Sequence, residues 1–558
     1  MIGRLAARLA GRLLGLPPTG TRRVVVTRNI RVRVRDGVPL LTDHYAPDRA
    51  GAPTLLIRTP YGRGGPVRLL GRLLAEQGFH TVIQSCRGTF GSAGRFTPLV
   101  HERADGLDTV DWLRRQPWYA GRFGMFGASY QGFVQWALAA EVEDLRAMVA
   151  VVTAASVRDS TYAGGSFSLD TVLTWAELLE AQAVPWLARQ LELRRGQPRL
   201  LAGLAHLPLA EADRVATGGT VPFFQEWLVE HTPGASYWRS RMFDARMAEI
   251  RTPVAMVTGW HDIFLPAQLA DYAALRAAGG HPTLTVGPWT HGSPGLLAAA
   301  LREGVPWLRG QLADAGPPGA PAPPRGTAAP ASRRPPVRVH LGGGAGWRDL
   351  PDWPPPATGT AWHLHPDRGL RPAPPVPSAP DTFRYDPADP TPSLGGPLLV
   401  AQRAGPVDNR PVEARADVLV YTGTRLDAPL EVIGPVTAQV YVRSALAHFD
   451  LFLRLCDVDP RGRSWNLCDG LVRVEPGRFP PDDAGVLRVP VTLWPVAHRF
   501  RPGHRVRVQV SGGAHPRYAR NPGTGEPLGS AVRLRAGWRE IWHDPDRPSM
   551  VVLPVVAG

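Results

Sequence analysis

The feature that most limits the fold is an alternation of short apolar runs with helical runs in the first 155 residues. The runs TLLIRTPY (54–61) and FHTVIQSC (79–86) have the length and composition of buried strands. Between them, VRLLGRLLAEQG (67–78) has helical periodicity and stops at a glycine. Strands that alternate with helices predict a parallel sheet covered on both faces. We therefore expect the chain to begin with an α/β domain over residues 1–155.

The alternation stops over residues 156–248 and then returns. The interrupting segment reads mostly as helices, whereas TPVAMVTGW and PTLTVGPW restore the strand pattern within 249–345. A helical insertion inside an α/β sheet is typical of a cap over a ligand site. We predict a helical cap at 156–248 and the second part of the α/β domain at 249–345.

Long helical periods are absent from the remaining residues, 346–558. Short alternating runs such as VEARADVLVYTG, GPVTAQVYVRSA and HRVRVQVSGG are bounded by Gly, Pro and Asp. This pattern predicts an all-β sandwich of the jelly-roll type. The Pro/Ala-rich stretch at 314–336 that precedes it is typical of a flexible surface loop.

The first sixteen residues predict an amphipathic basic helix. Arg4, Arg8 and Arg12 recur among leucines, and these charges interrupt any secretory apolar run. We expect this helix to dock on the body of the protein, with association at a membrane surface as the alternative. No apolar run approaches the roughly 20 residues that would span a bilayer.

The charge and cysteine content narrow the range of partners and compartments. The net charge is +15, but all 63 basic residues are arginines spread along the chain without a basic tract. We therefore expect no nucleic-acid binding. Cys86, Cys456 and Cys468 are too few and scattered for a disulfide framework, which favours the cytoplasm. A homodimer remains an open alternative to a monomer.

The stretch GMFGASYQGFVQW places Ser129 between an apolar run and a helical run. A nucleophilic serine in an α/β hydrolase occupies such a sharp strand-to-helix turn with small neighbours. The match to G-x-S-x-G is imperfect, because the second glycine is Gly132, one position late. Ser129 is our predicted nucleophile, and a simple helix N-cap is the alternative.

An acid and a histidine follow in the order that this fold requires. Asp262 ends the run TPVAMVTGWHD, and His291 ends the next one, LTVGPWTHG. Ser, Asp and His at the ends of successive strands are more specific than the serine turn alone. We predict Asp262 as the acid and His291 as the base, with His261 as the competing base.

The chain resembles the CocE/NonD family of serine hydrolases, which includes cocaine esterase and X-Pro dipeptidyl-peptidases. The family's G-x-S-Y-x-G elbow is matched by Gly127, Ser129, Tyr130 and Gly132. Further matches are RTPYGR (58–63), CRGTFGSAGRF (86–96), GWHDIF (259–264), GPWTHG (287–292), YDPADPTPSLGG (385–396), LCDGLVR (467–473) and HPRYARNPGTG (515–525). The resemblance implies an α/β-hydrolase domain, an inserted helical cap and a C-terminal jelly roll.

The same resemblance implies an oxyanion hole made from two tyrosines. One donor is the backbone N–H of Tyr130, and the other is the hydroxyl of Tyr61 in RTPYGR. A phenol is a suitable neutral donor for a developing oxyanion, although a tyrosine that only packs a loop is the alternative for Tyr61. Arg87, in CRGTFGS, is expected to tie loops together near the site.

These residues predict a serine hydrolase that cleaves an ester or amide bond in a small molecule or short peptide through an acyl-enzyme. We expect no metal and no cofactor. Two alternatives share these features: an acyltransferase with the same triad, and a non-catalytic jelly-roll binding protein on a hydrolase scaffold. The predicted pocket lies between the cap and the jelly roll and contains large apolar side chains, each with a core position as the alternative. These side chains are Trp175, Phe167, Phe264 and Trp465.

The sequence leaves an esterase and a dipeptidyl peptidase both open. Family members that take amino-acyl substrates need carboxylates near the pocket to hold an ammonium group. The predicted cap contains Asp159, Asp170, Glu177 and Glu180, but helix surfaces often carry carboxylates. These four residues therefore do not decide between the two activities.

Overall fold

The computed structural model describes most of the chain. The described residues are 7, 9, 11–17, 21, 23–180, 186–232, 234–313, 335–399 and 403–556. Residues 314–334 of the predicted Pro/Ala-rich loop and residues 1–6 of the predicted N-terminal helix lie outside them.

A ten-stranded sheet forms the α/β part of the described chain, in the order β1-β2-β4-β3-β5-β6-β7-β8-β9-β10. The strands from β3 to β9 pair in parallel, while β1, β2 and β10 run antiparallel to their neighbours. The strands are β1 (Val24–Arg33), β2 (Pro39–Pro47), β3 (Thr54–Thr59), β4 (His80–Ser85), β5 (Phe123–Ala128), β6 (Leu145–Val151), β7 (Val254–His261), β8 (Thr283–Thr290), β9 (Val337–Leu341) and β10 (Gly346–Leu350). Because β10 pairs with β9, this sheet extends to Leu350, beyond the predicted end of the α/β domain at residue 345.

Helices cover both faces of the sheet, as the buried strands require. Every residue of β3 and β4 is buried, which is characteristic of central parallel strands. The helices that follow β3, β4, β5, β7 and β8 are, in that order, α1 (Gly65–Glu76), α2 (Glu102–Arg114), α3 (Tyr130–Ala139), α10 (Leu265–Ala277) and α11 (Pro294–Ala313). The predicted α/β class is therefore confirmed.

Helical segments fill the chain between β6 and β7. An aromatic cluster that includes Phe224, Trp227 and Trp238 joins several of them. The α-helices are α4 (Arg158–Thr161), α5 (Leu169–Glu180), α6 (Trp186–Ala205), α7 (Ala212–Thr217), α8 (Pro222–Val229) and α9 (Ser236–Arg239), with 3₁₀ turns at Ala163–Gly165, Leu209–Glu211 and Asp244–Glu249. We call this region the cap.

The C-terminal part is an antiparallel β-sandwich, which confirms its predicted class. Its described strands form a nine-stranded and a four-stranded sheet, the latter in the order β14-β21-β17-β18. Apolar side chains from both sheets, such as Val440 and Val508, share one core. The strands are β11 (Thr358–Leu364), β12 (Leu370–Arg371), β13 (Asp381–Tyr385), β14 (Val418–Thr422), β15 (Leu430–Gly434), β16 (Thr437–Ser444), β17 (Phe449–Val458), β18 (Ser464–Val474), β19 (Leu487–Thr492), β20 (Val496–Phe500), β21 (Arg505–Ser511), β22 (Gly537–Trp542) and β23 (Met550–Val555), with a short helix α12 (Arg410–Glu413) before β14.

The described part of the N-terminal segment packs on the α/β domain. Leu14 and Leu16 contact the apolar cluster beneath it, and Gln77 Nε2 donates to the Pro17 carbonyl oxygen at 3.0 Å. Within the described ranges, no helix is both long enough and apolar enough to cross a bilayer.

Candidate active site

The turn at Ser129 joins β5 directly to α3. Its backbone has φ 58° and ψ −124°, a strained conformation for a residue other than glycine. The Ser129 N–H donates to the Val151 carbonyl oxygen at 2.9 Å, while the side chain makes no capping hydrogen bond to α3. The N-cap alternative is therefore unsupported, and the geometry is typical of a nucleophile elbow.

Close packing explains why glycines flank the turn where they do. A Cβ on Gly132 would lie 2.5 Å from the Cβ of Thr153, which follows β6. A Cβ on Gly127 would overlap Gln131, whose Nε2 donates to Thr59 Oγ1 at 3.0 Å. The glycine displaced by one position is thus the residue at which α3 meets the segment after β6.

Asp262 and His291 form a hydrogen-bonded pair at the ends of β7 and β8. His291 Nδ1 lies 2.7 Å from Asp262 Oδ2, and the Phe264 N–H donates to Asp262 Oδ1 at 2.8 Å. The Asp262 side chain is fully buried, whereas that of His291 is 13% exposed. Because Asp262 accepts from Nδ1, the imidazole is held in the tautomer whose Nε2 is an acceptor.

Ser129, Asp262 and His291 all lie at the carboxyl ends of parallel strands in one sheet. They follow β5, β7 and β8, which share one edge of the α/β domain. Among the residues that the structure describes, no hydrogen bond joins Ser129 to His291. Such a bond often tightens only when substrate is present.

Aromatic side chains from the cap meet Tyr61 and Tyr130 beside the serine turn. Trp175 Nε1 on α5 donates to Tyr61 Oη at 3.2 Å. The Trp175 ring also stacks on the Tyr130 ring, with centroids 6.0 Å apart. The structure thus brings together both tyrosines that the resemblance implied, together with one predicted pocket residue.

A buried polar network holds Tyr130 in place. Its hydroxyl donates to Glu102 Oε1 at 2.8 Å and accepts from the Leu99 N–H at 2.8 Å. Arg58 is fully buried and pairs with Glu102 at 3.0 Å. Burial, followed by the Glu102 anion, raises the pKa of Tyr130 well above its ordinary value, so this phenol stays neutral. As the first residue of α3, Tyr130 has a backbone N–H that no helix carbonyl can accept.

A cavity of about 330 Å³ opens next to the aromatic group. It lies between the loop after β4 and helices α5 and α8 of the cap. Phe96 and Phe223 line it, and their rings lie 5.8 Å from Tyr130 and 5.0 Å from Trp175, respectively. The cavity therefore borders the predicted site on its cap side.

Family comparisons agree with this architecture. The model of the X-Pro dipeptidyl-peptidase (S15 family) matches residues 36–293, and that of the X-Pro dipeptidyl-peptidase C-terminal non-catalytic domain matches 330–552. The chain is 32% identical to the cocaine esterase of Rhodococcus sp. (strain MB1 Bresler), covering 95% of this chain and 98% of that protein. The chain belongs to the S15 family. Its members are serine hydrolases, and so is this protein.

Solved structures show the same fold over nearly the whole length of this S15 chain. An aminopeptidase from a Thaumarchaeota archaeon of marine sediment has a TM-score of 0.79 at 22% identity. An α-amino acid ester hydrolase also has a TM-score of 0.79, at 23% identity. Each comparison covers 97% of this chain and 98% of the other.

The predicted pocket residues separate into two groups. Trp175 contacts Tyr61, and the Phe264 ring lies 5.7 Å from the His291 ring, so both border the site. Phe167 is fully buried and packs on Tyr162 and Phe224, which corrects its assignment: it belongs to the cap core.

The structure also corrects the assignment of Trp465 to the predicted pocket. It lines a separate cavity between the sandwich and the edge of the α/β sheet, and none of the five predicted catalytic and oxyanion residues lines that cavity. His261 lines the same cavity, and burial lowers the pKa of its imidazole to about 4. The hydrogen bond to Asp262 comes from His291, the histidine favoured by the sequence.

Arg87 has the structural role expected for it. Its guanidinium bridges Asp105 on α2 and Asp36 in the turn between β1 and β2. Sequence reasoning missed Glu102, since an isolated Glu carries no recognisable motif, and it assigned no role to Arg58, although this residue begins the motif RTPYGR.

Proposed function

We propose that this protein hydrolyses carboxylic esters of small molecules through an acyl-enzyme formed on Ser129. The observation that carries the proposal is the 2.7 Å Asp262–His291 hydrogen bond at the same sheet edge as the strained Ser129 turn. A buried carboxylate that fixes a histidine tautomer is what nucleophilic catalysis by serine requires.

His291 Nε2 takes the Ser129 proton while Oγ attacks the substrate carbonyl carbon. Collapse of the tetrahedral intermediate breaks the bond to the leaving group, which receives that proton from the imidazolium. Water then gives a proton to His291 and attacks the acyl carbon. Collapse of the second intermediate returns the proton to Ser129 and releases the acid. Asp262 stabilises the imidazolium throughout.

The oxyanion in both intermediates is bound by Tyr61 Oη and the Tyr130 backbone N–H. Trp175 Nε1 donates to Tyr61 Oη, and a phenol oxygen can accept one hydrogen bond while its O–H donates another. The N-terminus of α3 adds a favourable partial charge at Tyr130.

Apolar acyl groups are the favoured substrates, because aromatic rings dominate the described surroundings of the site. Trp175, Phe223 and Trp227 form one aromatic cluster on its cap side, in which the Trp175 and Trp227 rings stack. The similarity to a cocaine esterase over 95% of the chain favours esters over amides. Amides, including X-Pro amides, are the second candidates, since the matching family is named for X-Pro dipeptidyl-peptidases.

A substrate panel tests the proposal. The kcat/KM values for p-nitrophenyl benzoate, p-nitrophenyl butyrate, an amino-acid ester and an X-Pro anilide should be highest for the first two. The Ser129→Ala variant should reduce all of them to background, while Ser530→Ala, at an exposed serine, should change none. Ester turnover by Ser129→Ala at the wild-type rate would overturn the proposal. Transfer of the acyl group to an added alcohol in preference to water would instead favour an acyltransferase.

A further inference from the structure

A second, larger cavity lies between the β-sandwich and the edge of the α/β sheet. Its volume is about 650 Å³, enough for a small organic molecule. Residues at the ends of β7 and β8 form one side. The β9–β10 turn, the strands β17 and β18 with the turn between them, and β20 with the turn that follows it form most of the rest. The proposed catalytic chemistry makes no use of this space.

Aromatic and apolar side chains make up much of its wall. Trp260 is held rigidly, because its Nε1 donates to the His340 carbonyl oxygen at 2.7 Å and its ring contacts Trp353. Trp465 and the exposed Pro288 add further apolar surface. Such a surface suits a flat apolar body.

The carboxylates of this cavity already have partners. Asp457 is buried and accepts hydrogen bonds from His498 at 2.9 Å and from His504 at 2.8 Å. Asp459 is paired with Arg463 at 2.7 Å. The acidic groups therefore do not provide a site for a cation.

The cavity is also lined by the guanidinium groups of Arg461 and Arg501. In the part of the chain that the structure describes, neither Arg461 nor Arg501 forms an ion pair with a carboxylate. Arg501 Nε donates instead to the Gly343 carbonyl oxygen. The lining thus carries two guanidinium groups without a carboxylate partner among the described residues, beside an apolar wall.

The glycine-rich turn LGGG (341–344) allows Arg501 to lie where it does. Gly343 and Gly344 have φ values of +71° and +78°, which favour glycine. A Cβ on Gly344 would overlap the Arg501 guanidinium, and one on Gly343 would overlap the Arg499 carbonyl. The arginine and the turn therefore form one built feature.

We propose that this cavity binds a small carboxylate with a flat apolar body, its carboxylate at Arg461 and Arg501 and its body against Trp260 and Trp465. Guanidinium groups bind carboxylates through charge-assisted hydrogen bonds, and the apolar wall adds affinity for the ring. The cavity is also lined by His261, the residue that precedes Asp262 of the proposed triad.

Binding of 2-naphthoate, measured by isothermal titration calorimetry, tests the proposal without turnover. The Ser129→Ala variant is the host, so the outcome does not depend on the proposed function. We expect 2-naphthoate to bind more tightly than neutral 2-naphthamide and than inorganic phosphate. Equal affinity for 2-naphthamide would show that the arginines do not recognise the carboxylate. Equal affinity for phosphate would show that the apolar wall does not contribute to binding. Either result would overturn the proposal.

Variants in the same host locate the binding. Arg501→Gln and Arg461→Gln should each raise the Kd for 2-naphthoate about tenfold, the effect of losing one charge-assisted hydrogen bond. Arg461 is exposed, so its replacement stays informative even if Arg501→Gln disturbs the glycine turn. Arg425→Gln is the matched control, because Arg425 is equally exposed but does not line the cavity. An unchanged Kd in the Arg461→Gln/Arg501→Gln double variant would place the ligand elsewhere and refute the site.

Discussion

At the scale of single residues, the site depends on groups that are held before any substrate arrives. Asp262 is fully buried with both carboxylate oxygens hydrogen-bonded, to His291 and to the Phe264 backbone. Such pre-organisation is the main source of electrostatic catalysis, because no group has to reorient as charge develops.

Tyr61 tests the oxyanion hole most directly. Tyr61→Phe removes one donor to the oxyanion, so kcat should fall by about 10²–10³-fold while the melting temperature changes little. The control is Tyr119→Phe, which removes a hydroxyl that donates to Asp144 at 2.6 Å outside the site and should leave kcat unchanged. Steady-state kinetics on an aryl ester measures both. Wild-type kcat in Tyr61→Phe would mean that another group binds the oxyanion.

Loss of the Tyr130 hydroxyl, unlike loss of the Tyr61 hydroxyl, should affect stability more than catalysis, because the proposed contribution of Tyr130 to the reaction comes from its backbone N–H. Tyr130→Phe keeps the N–H but leaves Glu102 Oε1 and the Leu99 N–H without their buried partner, which should cost about 1–3 kcal/mol of unfolding free energy. Denaturant unfolding should therefore show reduced stability, while kcat should stay within about tenfold of the wild-type value. A collapse of kcat at unchanged stability would show that the phenol itself takes part in the reaction.

At the scale of elements, the strand-to-helix connection sets the position of the nucleophile. Gly132 lies where α3 meets the segment after β6, and a Cβ there would lie 2.5 Å from the Thr153 Cβ. Gly132→Ala should therefore shift α3, lower the melting temperature and reduce ester turnover.

Gly310→Ala is the matched control for that substitution. Gly310 is exposed on α11, and a Cβ added there has open space around it. Its replacement should stabilise the helix by about 0.5–1 kcal/mol, because alanine has the higher helix propensity. Differential scanning calorimetry of both variants checks the pair. Equal melting temperatures for the two would show that the close contact at Gly132 does not constrain the turn.

Sequence patterns predicted the strand ends that hold Ser129, Asp262 and His291 better than the residues that shape the pocket. Ser129, Asp262 and His291 stand out because strand ends in a parallel sheet impose an order along the chain. Phe167 and Trp175 could not be separated in this way, since both are aromatic residues in an apolar cap. Only the packing shows that Phe167 joins the cap core while Trp175 reaches Tyr61.

At the scale of the whole molecule, long-range contacts between distant segments were invisible to sequence reasoning. Trp465 looked like a pocket residue, but β18 places it at the cavity between the sandwich and the α/β sheet. Glu102 lies far along the chain from Arg58 and Tyr130, and only the folded chain brings the three together.

The molecule should lose stability in mild acid. Burial lowers the pKa of both His44 and His80, which hydrogen-bond each other at 3.0 Å, to about 4. The folded protein keeps them neutral, whereas the unfolded chain takes up protons below about pH 6.5. Stability present above pH 6.5 is therefore lost progressively as the pH falls towards 4.

Melting temperatures measured between pH 7.5 and 4 should show this decline. His80→Gln removes one of the two groups and should flatten the curve, while His281→Gln, at an exposed histidine, should leave its shape unchanged. A decline of equal steepness in all three proteins would assign the acid sensitivity to other groups.

Acylation of Ser129 during turnover is the step on which the proposed mechanism depends. Enzyme quenched in acid while it hydrolyses p-nitrophenyl benzoate should carry a benzoyl group, detected by intact-mass spectrometry and located by peptide mapping. The adduct should lie on Ser129 and be absent from Ser129→Ala, and the p-nitrophenol burst should be no larger than the enzyme concentration. Continued turnover with no adduct, or an adduct on a different residue, would contradict the proposed mechanism.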